Sequence, residues 1–338
     1  MMAAWKLGPA LAAGNTVVLK PAEQTPLSAL YLADLVREAG FPAGVVNIVN
    51  GHGREAGQAL AGHSGVDKVA FTGSTATGKR VMGAAAASNL KGVTLETGGK
   101  SPLLVFADAP DLRQAALWAY AGALGSNMGQ VCTATSRVLA QRSAHNALVT
   151  ELLEIVRART RVGDPFDPST THGPLVSRDQ YEKVLAYVEA GVAEGATLAT
   201  GGREKLSQPR ANGRGFFVEP TVFTGVKTDM RIYREEVFGP VCSVATPFET
   251  EEEAVTMAND TSYGLAAALF TGSVERAHRV AARLAAGTVW VNSSQDSDFR
   301  VPFGGFRQSG FGGRELGEEG LAAYTQTKAV HVNLGTRL

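Results

Sequence analysis

Lys68-Val69-Ala70-Phe71 runs directly into the glycine-rich turn Thr72-Gly73-Ser74-Thr75-Ala76-Thr77-Gly78, and this junction indicates the fold class. An apolar stretch that ends in small residues predicts a strand, a tight turn and a helix. The preceding segments alternate in the same way, with predicted strands at Thr16 to Leu19 and Val45 to Val49. This alternation predicts an α/β fold with a doubly wound sheet.

Further elements are predicted on both sides of this junction. Thr25-Pro26 is predicted to cap a helix, one face of which carries Leu27, Leu30, Tyr31 and Leu35. The two glycines and the proline in Thr94 to Pro102 indicate a domain junction. Beyond it, the sequence predicts a helix from Asp111 to about Leu124, a loop from Gly163 to Pro174, a helix from Gln180 to Thr197, and an exposed or partner-pairing strand over Lys328 to Leu334.

Composition narrows the class of protein. The 338 residues are 44% hydrophobic and 19% charged with a formal charge of zero, which predicts a soluble globular protein without a footprint for nucleic acid or anionic membranes. No apolar run reaches the length of a membrane helix. Two cysteines fit a reducing compartment, with the cytoplasm as the default. Six scattered histidines show no metal-ligand spacing, so we expect no metal.

The glycine-rich turn can be interpreted as a phosphate-binding element in two ways. Gly73 and Gly78-Lys79 have the spacing of a nucleotide-hydrolase P-loop, but Arg80 occupies the position at which a hydroxyl must bind Mg²⁺. The P-loop interpretation is therefore disfavoured. Either the turn only joins a strand to a helix, or the helix N-terminus holds a pyrophosphate.

Three residues are candidates for chemistry or for structure. Cys242 is flanked by valines and is predicted to be a core residue. Cys132 lies among glycine, amide and hydroxyl residues, so it is either a reactive thiol or another core cysteine. Glu96, between Leu95 and a Gly-Gly pair, is either an ordinary surface residue or a general base with a raised pKa.

Taken together, six ordered segments resemble the aldehyde dehydrogenase superfamily, and the resemblance extends from Met1 to the end of the chain. Leu95 to Pro102 is similar to the glutamate signature of that family, although Thr97 replaces a commoner Leu. Gly129-Gln130-Val131-Cys132 is similar to its cysteine signature. The others are Lys20 to Pro26, Phe71 to Ser74, Glu236-Val237-Phe238-Gly239-Pro240 and Pro302-Phe303-Gly304-Gly305.

The resemblance implies an NAD-dependent oxidation of an aldehyde to a carboxylic acid. Cys132 is implied as the nucleophile that forms a thiohemiacetal and then a thioester, and Glu96 as the base that activates water for hydrolysis. The residues implied to bind NAD are Lys20, Glu23, Gly53, Gly73, Ser74, Glu236 and Phe238. Those implied near the substrate are Ser297 and Phe303, with Trp118 and the Ser293-Ser294 pair. A carboxylate at Glu23 favours NAD over NADP because it repels a 2′-phosphate.

The same resemblance implies an aldehyde dehydrogenase-like fold in three parts. These are a partial Rossmann-type NAD-binding domain over residues 1–98, an α/β catalytic domain over 99–308, and a C-terminal return with an oligomerisation strand over 309–338. A small-molecule aldehyde is the expected partner, and a homo-oligomer is expected for a full-length family member.

The match begins where the family already has about a third of its length behind it, so we expect a truncated member. The Pro-Trp-Asn-Phe segment expected before Met1 is missing, and its Asn is implied as an oxyanion donor beside the Cys132 N–H. Loss of one such donor costs about 10²–10³ in kcat. Two alternatives therefore stay open: a catalytically silent NAD-binding or subunit-interaction remnant, and a thiol esterase that uses Cys132 and Glu96 without a cofactor.

Overall fold

The computed structural model describes residues 1–202 and 215–337. Its α-helices are α1 (Met2–Ala12), α2 (Leu27–Glu38), α3 (Gln58–Gly62), α4 (Thr75–Ala86), α5 (Leu112–Tyr120), α6 (Arg142–Arg159), α7 (Arg178–Ala193), α8 (Arg231–Arg234), α9 (Glu251–Asn259), α10 (Val274–Arg283) and α11 (Gly317–Ala322). Its strands are β1 (Val17–Leu19), β2 (Val46–Ile48), β3 (Lys68–Thr72), β4 (Gly92–Glu96), β5 (Pro102–Val105), β6 (Arg137–Ala140), β7 (Thr197–Thr200), β8 (Thr221–Val226), β9 (Val241–Ala245), β10 (Ala266–Phe270), β11 (Thr288–Val291) and β12 (Gly310–Phe311).

A seven-stranded sheet forms the centre of the larger part, in the order β11-β10-β5-β6-β9-β8-β7. Its strands are parallel except for β7, which pairs antiparallel with β8. The strands read as continuous apolar runs because both faces are covered, by α5 and α6 on one side and by α7, α9 and α10 on the other. The predicted α/β class is confirmed.

The strands of the first hundred residues belong to two smaller sheets. β1 and β2 form a parallel pair, whereas β3 pairs parallel with β4, and β12 returns antiparallel to β4. In the described residues the predicted strands at Thr16 to Leu19 and Val45 to Val49 are present but do not join β3. The chain thus holds Glu96, at the end of β4, between β3 and the C-terminal segment.

The N-cap position of α2 falls on Pro26, within the predicted Thr25-Pro26 cap, but no side-chain hydrogen bond caps this helix. The apolar face is exposed, with Leu27 78% and Tyr31 66% accessible, and Ala29 is the buried residue of this helix. Sequence periodicity reports an apolar face but not what covers it.

Lys328 to Leu334 forms no strand within the described single chain, and Val330, Val332 and Leu334 are exposed. A strand needs a hydrogen-bonded neighbour, so pairing of this segment with a partner chain stays a prediction. The predicted loop from Gly163 to Pro174 is confirmed. No helix among the described residues is long and apolar enough to cross a membrane.

Candidate active site

The turn that carries Cys132 follows an unusual stretch of backbone. α5 continues into a π-helical turn, Ala121–Gly125, after which Asn127, Met128 and Gly129 all have positive φ. A Cβ on Gly129 would lie 2.2 Å from Gly239 O, so glycine is required there both by conformation and by space. This stretch brings Cys132 to the amino end of β6, beside the residues that precede the parallel strands β5 and β9.

Cys132 occupies a β-turn that packs directly against the turn after Glu96. The turn is closed by a hydrogen bond from Ala134 N to Val131 O of 3.0 Å. A Cβ on Gly99 would come within 2.2 Å of Cys132 O, and one on Gly98 within 2.6 Å of a Glu236 carboxyl oxygen. The two glycines of the glutamate segment therefore permit close contact between both turns and Glu236.

The surroundings of the Cys132 thiol disfavour its ionised form. Burial, followed by the charges of Glu236 and Glu96, raises its pKa to about 12, and hydrogen bonds from the Thr133 and Cys132 N–H groups oppose that rise. Its activation therefore requires a base or a change in these neighbours. Cys242 is fully buried on β9, as predicted for a core residue, and burial likewise raises its pKa to about 12.

Glu96 is a buried carboxyl group at the end of β4. It is 4% exposed, and neither of its oxygens has a hydrogen-bond partner within the described part of the chain. Burial and then the charge of Glu315 raise its pKa to about 8, while Lys6 and Arg314 act in the opposite direction. A carboxylate with a pKa near the working pH is suited to general base catalysis. The ordinary surface interpretation of Glu96 is wrong.

A pair of charged residues that the sequence did not single out lies beside Glu96. Lys6 Nζ contacts Glu315 Oε1 at 2.5 Å, and the second oxygen of Glu315 has no partner among the described residues. Glu315 is held by two backbone hydrogen bonds of 2.7 Å with Phe303. Lys6 and Glu315 are 309 positions apart in the chain, so no local sequence pattern predicts their ion pair.

Three residues expected at the cofactor come together at the start of the chain. The Gly53 N–H faces Glu23 Oε1 at 3.4 Å, and Lys20 Nζ lies 3.3 Å from Glu23 Oε2. Lys20 also donates to Pro21 O and Gly51 O, at 2.6 and 3.1 Å. The carboxylate of Glu23 thus stands at the surface with a lysine and a backbone N–H beside it.

Gly73 and Ser74 immediately precede α4, and their polar groups already form hydrogen bonds within the chain. The Gly73 N–H donates to Glu96 O at 3.1 Å, and Ser74 Oγ accepts from Thr77 N at 3.2 Å as the N-cap of the helix. A Cβ on Gly73 would lie 2.5 Å from the Phe71 ring. Anion binding at this terminus would therefore rely on the remaining N–H groups of the first turn.

Glu236 and Phe238 belong to the segment that contacts the Gly98-Gly99 turn. Glu236 Oε1 accepts from Gly99 N at 2.9 Å, and burial raises the pKa of this carboxyl group. Phe238 has a φ of +57°, and Gln180 Nε2 donates to its carbonyl oxygen at 2.8 Å. Glu236 therefore accepts a hydrogen bond from the glutamate segment, and its charge acts on the Cys132 thiol of the cysteine segment.

The residues expected near a substrate are dispersed. Ser297 is exposed in the loop after β11, whereas Phe303 is buried, with its ring centroid 4.9 Å from that of Trp5 in an edge-on arrangement. Ser294 is fully buried, and its Oγ lies 3.0 Å from Thr135 Oγ1; its expected place near the substrate stays a prediction. Within residues 1–202 and 215–337, no group of three His, Cys, Asp or Glu residues is placed to hold a metal ion.

Comparison with known sequences gives matches over the whole of this site. The model of the Aldehyde dehydrogenase family matches residues 1–330. An aldehyde dehydrogenase of Davidiella tassiana is 51% identical over 338 residues, covering all of this chain and 66% of that protein. Human retinal dehydrogenase 2 is 50% identical over 334 residues, which are 99% of this chain and 62% of that protein. The chain spans just under two thirds of the length of these curated relatives.

Solved structures show the same similarity. An indole-3-acetaldehyde dehydrogenase of P. syringae, in complex with NAD+ and IAA, superposes with a TM-score of 0.94 at 48% identity, over 99% of this chain and 66% of that one. The aldehyde dehydrogenase KauB from Pseudomonas aeruginosa gives a TM-score of 0.93 at 50% identity, over 97% of this chain and 65% of that one.

Proposed function

The chain belongs to the aldehyde dehydrogenase family, and from this premise we propose that it carries the machinery for NAD-dependent oxidation of an aldehyde to a carboxylic acid. In this proposal Cys132 is the nucleophile and Glu96 is the general base. The observation that carries it is the buried carboxyl group of Glu96, which has no hydrogen-bond partner in residues 1–202 and 215–337 and whose neighbouring glycines pack against the Cys132 turn.

The proposed chemistry uses these two side chains in sequence. The Cys132 thiol loses its proton to water, its sulfur bonds to the aldehyde carbon, and the electrons of the carbonyl double bond move to oxygen, which leaves a tetrahedral oxyanion. Bound NAD would supply the hydride acceptor that oxidises this carbon to the thioester. Glu96 then takes a proton from water, the water oxygen attacks the thioester carbon, and the sulfur–carbon bond breaks. The acid is released and Cys132 is restored.

Two groups of residues fit the cofactor. The exposed carboxylate of Glu23, with Lys20 and the Gly53 N–H beside it, suits the two hydroxyls of a ribose. Glu236, which contacts the turn between Glu96 and Cys132, suits the second ribose. The carboxylate of Glu23 disfavours the additional phosphate that NADP would carry on the ribose beside it. We therefore propose NAD rather than NADP as the cofactor.

The test is to incubate the folded chain with NAD and a simple aldehyde and to follow the absorbance of reduced cofactor. Cys132→Ala should remove turnover, and Cys242→Ala, a change in the core, should retain it. Absence of turnover from folded protein, or turnover that survives in Cys132→Ala, would refute the proposal for this chain. NAD binding without turnover would instead support the silent-remnant alternative.

An esterase activity is a second candidate because Cys132 and Glu96 need no cofactor to hydrolyse an activated ester. The nucleophile turn and the base are held by the described chain itself, independently of the residues around Glu23. Hydrolysis of a p-nitrophenyl ester without NAD, absent in Cys132→Ala, is the expected result. Equal hydrolysis by wild type and variant would exclude it.

A further inference from the structure

Gln295 makes two hydrogen bonds to the residue that follows the nucleophile. Thr133 Oγ1 donates to Gln295 Oε1 at 2.6 Å, and Gln295 Nε2 donates to Thr133 O at 2.9 Å. The amide therefore binds both the side chain and the main chain of one residue, 162 positions away in sequence. Gln295 has a φ of +65°, a conformation that residues with a Cβ rarely adopt.

A second link holds the same two loops together. Ser294 Oγ lies 3.0 Å from Thr135 Oγ1, and both residues are fully buried. A Cβ on Gly122 would come within 2.6 Å of Ser294 Oγ, so the packing is tight. Trp290 Nε1 also donates to Asp296 O at 2.8 Å. The loop that presents Gln295 is therefore fixed on both sides of the amide.

Thr133 matters because it directly follows Cys132 in the nucleophile turn. Cys132 and Thr133 are the two central residues of the turn closed between Val131 and Ala134. The Thr133 N–H lowers the pKa of the thiol against the opposing effects of burial, Glu236 and Glu96. Hydrogen bonds to the charged form stabilise it only while the donor stays aimed at it.

We propose that Gln295 is a positioning residue of the site, whose amide fixes Thr133 and with it the turn that presents the Cys132 sulfur. This inference rests on the proposed function in taking Cys132 as the nucleophile. The two hydrogen bonds between Gln295 and Thr133, here called the clamp, form in the free protein and act before any cofactor or aldehyde binds. The clamp also ties the nucleophile turn to the loop that carries Ser297.

The test is the rate at which iodoacetamide alkylates Cys132 in the absence of NAD and aldehyde, read by mass spectrometry of the peptide. Thiolate, not thiol, reacts, so the rate reports stabilisation of the charged sulfur. Gln295→Met keeps the length of the side chain but removes both hydrogen bonds, and should slow alkylation about tenfold, as expected for weakening a hydrogen bond to a charged group. Gln114→Met, on the exposed side of α5, should leave the rate unchanged.

A second pair of variants keeps the test decisive if Gln295→Met does not fold. Thr133→Val removes the hydroxyl donor and should slow alkylation, whereas Thr133→Ser retains it and should restore the wild-type rate. The double variant Gln295→Met/Thr133→Val should be no slower than the worse single variant. Cys242 is the internal control, since labelling of this buried thiol reports unfolding.

The opposite results would overturn the inference. Alkylation that is unchanged or faster in folded Gln295→Met would show that the clamp does not stabilise the thiolate. Thr133→Ser as slow as Thr133→Val would show that the hydroxyl is irrelevant. N-ethylmaleimide, a bulkier reagent, should slow by the same factor; a different factor would indicate altered access and refute the positioning role. A protein without dehydrogenase activity would still give these alkylation rates. Failure of the positioning role is therefore distinguishable from failure of the proposed function.

Discussion

Lys6 Nζ and Glu315 Oε1 lie 2.5 Å apart next to the carboxyl group of Glu96, although 309 positions separate them in the chain. Their effects on Glu96 are opposite: the charge of Glu315 raises its pKa, and that of Lys6 lowers it. Burial has the largest effect on the pKa of the candidate base, and this ion pair, whose members come from α1 and from the segment before α11, adjusts it further.

Glu315→Gln and Lys6→Met should move the pH profile of ester or aldehyde turnover in opposite directions. The base is active when ionised, so the rate rises as pH passes through its pKa, at about 8 in the wild type. Removing Glu315 lowers that pKa and shifts the half-maximal rate to lower pH by about one unit, and removing Lys6 shifts it upward. A pH–rate series on both variants measures this. Shifts in the same direction would contradict it.

Glu96→Gln should stabilise the protein at alkaline pH. The folded pKa of Glu96 is raised from 4.5 to about 8, so the folded state binds the proton more tightly than the unfolded state. Stability from this group is present below pH 4.5 and is lost progressively as pH rises to about 8. Urea unfolding at pH 5 and pH 9 should show Glu96→Gln gaining on the order of 3 kcal/mol over wild type between the two conditions. A pH-independent difference would argue against a perturbed carboxyl group.

Glu23→Ser should relax the expected preference for NAD over NADP. The carboxylate of Glu23 repels a 2′-phosphate, and Lys20, at present 3.3 Å from it, becomes available to a phosphate once it is removed. The ratio of kcat/KM with NADP to that with NAD should rise about tenfold or more, corresponding to about 1.4 kcal/mol. Glu38→Ser, exposed at the end of α2, is the matched control. An unchanged ratio would place the adenosine ribose elsewhere.

Gly129→Ala should destabilise the fold and abolish thiol reactivity at Cys132. The φ of +68° disfavours any Cβ, and the added atom would lie 2.2 Å from Gly239 O, which is backbone and cannot move aside alone. We expect a loss of about 3 kcal/mol or more in the free energy of unfolding. Gly83→Ala, inside α4 with no atom within 4 Å of the new Cβ, should instead stabilise by about 0.5–1 kcal/mol. Urea titrations compare the two; a tolerated Gly129→Ala would contradict the packing seen here.

Much of the fold is readable from local sequence because its signals are local. The strand at Lys68 and the cap at Ser74 follow from an apolar run and a small hydroxyl residue, and Cys242 among valines indicates a core position. Ordered motifs identify the family. These features depend on neighbours a few residues away, whose spacing is fixed by the backbone.

The chemical state of the site depends on partners that the sequence does not place. Cys132 and Glu96 are visible as motifs, but the pKa of Glu96 is set by burial and by Glu315, and Thr133 is held by Gln295 across 162 positions. The same limit explains α2, whose periodicity gives an apolar face while the structure leaves it exposed. Burial and charge–charge distances come from three-dimensional packing, and no residue spacing along the chain encodes them.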